Sequence, residues 1–179
     1  MGISSRSRGR AIKYTKSVEV ILVDMQTSFV QELREGELDR IVPKQLATLK
    51  HCKQFGIPVV VLELDASYYG ETIKVLIGEA KKNPYFRLIG KEFNSGFIGT
   101  DLDSHLKLLG AKKLFIMGIN ADFCVKKTAD DAIKRGYEII TSNEVISGQY
   151  CHSKSNSVDW FKSNGHCIET IDEFPKIIS

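Results

Sequence analysis

Runs of consecutive apolar residues alternate along this chain with stretches in which apolar positions recur every three or four residues, the rhythm of strand followed by helix. The run VEVILVD (18–24) reads as a buried strand that ends at Asp24. A helix is predicted over Val42–Phe55, with Pro43 in its first turn and Gly56 closing it. IPVVVLEL (57–64) is a second strand, Thr72–Lys82 a helix stopped by Asn83-Pro84, and residues 85–90 a third, shorter strand. Thr100 and Asp103 form a T-x-x-D cap for a helix that runs to Leu109 and closes at Gly110. AKKLFIMG (111–118) is the fourth strand, Cys124–Arg135 a helix, YEIITS (137–142) the fifth strand, Ser153–Ser163 a helix and HCIETI (166–171) the sixth strand. The alternation predicts an α/β fold: three layers, α/β/α, around a central, mostly parallel, six-stranded Rossmann-like sheet.

Composition narrows the picture. A chain of 179 residues suits one domain with a sizeable core. The net charge of +3 owes much to Arg6, Arg8, Arg10, Lys13 and Lys16, so residues 1–16 are expected to be a flexible basic arm before a single domain over 17–179. No basic stripe interleaved with aromatics supports nucleic-acid binding, and no apolar stretch approaches the ~20 residues of a membrane span. MGISSRSRGR lacks the apolar core of a signal peptide, and Arg6 stands where a myristoylation motif requires Ser or Thr. A cytosolic protein is expected. Neither a GxGxxG nor a GxxxxGK[ST] nucleotide fingerprint occurs. The cysteines, Cys52, Cys124, Cys151 and Cys167, have no CxxC or zinc-like spacing and are expected to be reduced. Cys52 and Cys167 read as packing residues. Cys151 adjoins His152, but neighbours in sequence rarely face each other productively.

Three residues change the picture from fold to chemistry. Asp24, Lys91 and Cys124 each follow a predicted parallel strand, and such strand exits share one edge of an open sheet, where sites are built. Cys124 opens a predicted helix, where unpaired N–H groups and the dipole favour a thiolate. Each residue also has a bland reading: a turn-capping aspartate, a solvated lysine, an inert thiol.

The segments VILVDMQTSF (20–29), KEFNSGFIGTDLDSHL (91–106) and MGINADFCVKKTADDAIKRGYEI (117–139) resemble, in content, order and spacing, the isochorismatase-like cysteine hydrolases, which include nicotinamidases and N-carbamoylsarcosine amidases. The resemblance runs from about Val18 to the end of the chain. It implies the isochorismatase-like fold and a catalytic triad of Asp24, Lys91 and Cys124. It further implies a cis Ile119–Asn120 peptide and an oxyanion hole formed by the backbone N–H groups of Asn120 and Cys124. The expected reaction is hydrolysis of a C–N bond in a small amide or carbamoyl compound through a thioester, with Asp24 moving the protons and Lys91 favouring the thiolate. Phe29, Tyr68, Phe97, Asn120 and Phe123 are expected to line the substrate pocket, and a homo-oligomer is expected.

Two departures from the family pattern qualify this reading. Ala121 stands where many members have Thr. LELDASYYGE (62–71) carries Asp65 but no histidine, so the metal site of the nicotinamidase branch is not expected, nor is any cofactor. Isochorismatases proper cleave a vinyl ether and generally lack the cysteine, which makes that activity an alternative. A non-catalytic α/β binding protein that has kept the fold is the other.

Overall fold

The computed structural model describes residues 17–148 and 151–177, and the side chains of those outside 151–156; the predicted arm and the Cys151–His152 pair therefore lie outside the described parts. Strands β1 (Val18–Val23), β2 (Val59–Leu64), β3 (Phe86–Lys91), β4 (Lys113–Gly118), β5 (Glu138–Ser142) and β6 (His166–Ile168) form one sheet in the order β3-β2-β1-β4-β5-β6. Every pairing is parallel. Strands buried on both faces need no alternation, and all six residues of β1 are buried, as are five of six in β2 and in β4.

The helices are α1 (Thr27–Gln31), α2 (Glu37–Phe55), α3 (Ala66–Tyr69), α4 (Lys74–Ala80), α5 (Leu102–Leu109), α6 (Lys126–Ile133), α7 (Cys151–Asn164) and α8 (Phe174–Ile177). With right-handed crossovers this strand order calls for α2 and α4 on one face of the sheet and α5, α6 and α7 on the other; α2 and α4 pack together, and α6 and α7 both pack on β5. Side chains from both faces join the strands in a continuous apolar core that includes Leu22, Leu62, Phe115 and Phe161.

The sequence reading misplaces several boundaries. α2 begins five residues before Val42, so Pro43 lies inside the helix instead of in its first turn. Its start relies on Gly36 in the left-handed region (φ 80°) and on Glu37 and Asp39 against the helix dipole, with no side-chain cap to betray it. The expected T-x-x-D cap of α5 does not form. Thr100 Oγ1 accepts from the Leu102 N–H at 3.2 Å, while Asp103 is taken by Lys107 and by the Tyr137 hydroxyl. The sixth strand stops at Ile168 because Thr170 and Glu173 form a capping box that turns the chain into a 3₁₀ turn. The helix expected to open at Cys124 instead begins at Lys126, preceded by a π-helical turn over Ala121–Val125.

Candidate functional site

In this strand order the chain reverses direction across the sheet between β1 and β4, the position where open α/β sheets leave a crevice at their carboxyl ends. β1 delivers Asp24 there and β4 delivers the turn that carries Cys124. Register ties the two together: Val23 pairs with Gly118, and the Ile119 N–H donates to Val23 O at 3.0 Å. Gly118 has to be glycine at this approach. Its φ is 132°, and a Cβ would stand 2.1 Å from Val23 O. Asp24 itself adopts φ 50°, which swings its side chain out of the strand's alternation.

Lys91 ends β3, two strands from β1, and its side chain crosses β2. Its Nζ donates to Asp24 Oδ2 at 2.8 Å and to Phe93 O at 3.2 Å. The Lys91 and Asp24 side chains are 0% and 1% exposed, so a complete ion pair is sealed inside the protein. A buried pair is held at the expense of desolvation, which makes it weak evidence for stability and a common mark of function.

Cys124 is also buried, and its Sγ lies 3.8 Å from Asn94 Oδ1. Asp24 is near enough for the two groups to bias each other's titration, yet Asp24 Oδ1 makes no hydrogen bond of ordinary length among the described residues. Burial pushes the Asp24 carboxyl above the usual carboxylate range, and Lys91 offsets this only in part. Burial, aided by the Asp24 carboxylate, pushes the Cys124 thiol up to about 12, against the pull of Lys91. The expectation of a thiolate at a helix start is thereby corrected. Cys124 sits inside the π turn, not at an exposed helix end, and loss of hydration outweighs the ammonium.

The peptide between Ile119 and Asn120 is cis. Asn120 is the residue before the π turn, and its Oδ1 is buried with no partner among the described residues. The Ala121 N–H donates to Ser147 O at 2.8 Å, a backbone contact that does not depend on a Thr side chain at this position.

The aromatic positions divide. Phe29 stacks on Tyr69 with ring centroids 4.5 Å apart, and Tyr68 meets Tyr69 edge-on. Tyr68 and Phe123 are exposed, at 76% and 50%. Phe97 is buried in the apolar core, its ring faced by Tyr137 and by the Arg135 guanidinium at 4.8 Å. A cleft of about 620 Å³ opens where β2 and β3 end, lined by Asp65, Ala66, Gly90, Lys91, Glu92 and Gly99. Neither Cys124 nor the expected aromatics line it. Asp65 accepts from Ser67 Oγ, and among the described residues no three His, Cys, Asp or Glu side chains converge on a metal-sized site.

Two contributors escaped the sequence reading. Asn94 is hidden in a polar loop between two motif positions. Gln26, fully buried, exchanges hydrogen bonds with the Leu64 backbone and donates to Gly70 O at 2.6 Å, stitching the segment after Asp24 to that after β2. Its place beside Asp24 in the DMQ triplet was the available signal.

The fold and the convergence at the switch point describe a doubly wound α/β scaffold with a buried acid–lysine pair beside a cysteine. Residues 19–148 match the isochorismatase domain, and the chain belongs to that family. Isochorismatase family protein 2A of Dictyostelium discoideum is 19% identical over 155 residues, covering 84% of this chain and 76% of that protein. Among solved structures, the MAR1 ribonuclease of Caenorhabditis elegans superposes with a TM-score of 0.79 at 17% identity, covering 92% of this chain and 82% of that one. A nicotinamidase from Staphylococcus aureus superposes with a TM-score of 0.77 at 22% identity, covering 87% and 99%. At these identities the likeness to the solved structures establishes the fold alone. No helix of the described residues is long and apolar enough to cross a membrane.

Proposed function

We propose that the protein is a cysteine hydrolase acting on the C–N bond of a small amide or carbamoyl compound, with Asp24, Lys91 and Cys124 as its triad. The observation that carries this reading is the sealed Lys91–Asp24 pair, whose carboxylate lies close enough to the buried Cys124 thiol for each to bias the other's titration.

The reaction begins with a neutral thiol. As substrate enters, Asp24 takes the Cys124 proton and Sγ bonds to the carbonyl carbon, whose π electrons move to oxygen. Backbone N–H groups of Asn120 and Cys124 receive the oxyanion. Collapse of the tetrahedral adduct breaks the C–N bond, and the Asp24 proton leaves with ammonia or an amine. Asp24 then takes a proton from water, hydroxide attacks the thioester, and the acid departs as the thiol is restored. Lys91 keeps Asp24 oriented and stabilises the transient thiolate. Amide cleavage, not ether cleavage, is favoured because the thiol has a defined role in it, and a nicotinamidase shares the fold.

Cys124→Ala and Cys124→Ser should each abolish ammonia release from small primary amides, ureas and carbamoyl compounds while leaving the circular dichroism spectrum unchanged. Substantial turnover by the alanine variant would remove Cys124 as nucleophile. Wild-type protein that binds such compounds without consuming them would favour the non-catalytic reading.

A further inference from the structure

One face of α2 grips the loop after β5 at successive helical turns. Glu37 Oε2 accepts from Ser147 Oγ, and Arg40 donates to Asn143 O at 2.6 Å and Ile146 O at 2.9 Å. Lys44 pairs with Glu144 at 3.0 Å, and Gln45 Nε2 donates to Val145 O at 2.9 Å. Positions 37, 40, 44 and 45 are the i, i+3, i+7, i+8 stripe of a helix. Arg40 is itself locked by Glu37 through two parallel bonds, Nε to Oε1 at 3.1 Å and NH2 to Oε2 at 2.7 Å, the fork geometry that fixes a guanidinium most firmly.

The gripped loop in turn holds the turn of Cys124. The Gly118 N–H donates to Val145 O at 3.0 Å, the Ser147 N–H to Gly118 O at 3.2 Å, and the Ala121 N–H to Ser147 O at 2.8 Å. Those three bonds bracket Ile119 and Asn120. The same helix also reaches the acid's neighbourhood, since Gln45 Nε2 contacts the sulfur of Met25, the residue after Asp24, at 3.5 Å.

We infer that α2 is the positioning element of this site: Arg40 and Glu37, acting through Ser147, hold Asn120 and Cys124 in register with Asp24. The inference rests on Cys124 being the reacting group. None of the three residues touches that group, so they are positioning residues. An arginine forked onto a carboxylate and bonded to two carbonyls is a rigid strut, and it fixes the loop whose backbone holds the turn. Geometry of this kind matters steeply, because a displacement near 1 Å can cost on the order of a hundredfold in rate.

The test compares Arg40→Ala, Arg40→Lys, Glu37→Gln and Ser147→Ala with wild type and with Lys53→Ala on the exposed face of α2. Three quantities are measured: kcat and KM on the best amide of the screen, the pH profile of Cys124 alkylation, and hydrogen exchange of residues 118–121. Arg40→Ala and Ser147→Ala should lower kcat by roughly tenfold to a hundredfold with KM changed less than about threefold. Both should shift the alkylation profile and speed exchange at Ala121. Glu37→Gln, whose amide nitrogen cannot accept from Arg40, breaks one arm of the fork and should show part of the same loss, as should Arg40→Lys, which cannot form the fork. A lowered unfolding midpoint with unchanged kcat, alkylation profile and exchange would overturn the inference and leave α2 a merely structural support. If wild type hydrolyses nothing in the screen, the proposed function fails, while the alkylation and exchange measurements still decide whether α2 positions the turn.

Discussion

Two charges and a change of medium compete over the Cys124 sulfur, and their order sets the chemistry. Burial comes first, the Asp24 carboxylate adds to it, and the Lys91 ammonium opposes both. A thiol pushed up in this way is protonated at neutral pH, so mild alkylation of the free protein should be slow whether or not it is an enzyme. The relevant measurement is the alkylation rate against pH. Wild type should show its rise only well above pH ~9. Asp24→Asn removes a negative neighbour and should move that rise down by about one unit or more, while on the proposed mechanism it should also abolish turnover. Lys91→Ala should move it up. Identical profiles in all three proteins would show that these charges do not act on Cys124. All three residues were legible in the sequence as polar punctuation at strand exits. The direction of the thiol's shift was not, because it depends on how much protein surrounds the sulfur.

At the scale of elements, the junction between β4 and the π turn is the part least tolerant of change. Gly118 combines a positive φ with backbone of β1 at contact distance, so a methyl group there meets Val23 O and the pairing of β1 with β4 must open. Gly118→Ala should therefore cost more than ~3 kcal/mol or prevent folding altogether, measured by urea denaturation. Gly78, with open space where a side chain would begin and no positive φ, is the natural comparison, and Gly78→Ala in α4 should be neutral or stabilising. Equal effects at the two glycines would contradict the close approach as the cause. The strand–turn–helix pattern over 111–135 identified the junction from sequence. The π turn was not legible, since its residues, ADFCV, carry no signal that separates a five-residue turn from the first turn of an α-helix.

Across the whole molecule, buried thiols couple the fold to alkaline pH. Cys124 and Cys52 both ionise above their ordinary range in the folded chain because burial disfavours the thiolate. A group raised in this way favours the folded state fully below its unfolded value, and that contribution is lost as pH rises from about 9 towards its folded value. Each thiol then removes roughly 1.4 kcal/mol of stability per pH unit across that window. Urea midpoints should accordingly fall between about pH 9 and pH 11, and Cys52→Ala, although less stable at neutral pH, should show a shallower fall. A slope unaltered by that substitution would place the alkaline sensitivity elsewhere.

The sequence by itself determined the layers of this protein, the number and direction of its strands, and the family to which it belongs. Those features follow from local periodicity and from short motifs, and a residue's neighbours in the chain are enough to express them. Only the tertiary structure decided that Lys91 reaches across β2 to seal Asp24, that Phe97 belongs to the core and that α2 starts at Glu37 to grip the loop of Ser147. Each of these joins residues tens of positions apart, Lys91 to Asp24 and Arg40 to Ile146 among them. Their energies come from desolvation and from side-chain geometry in three dimensions, neither of which a one-dimensional pattern records.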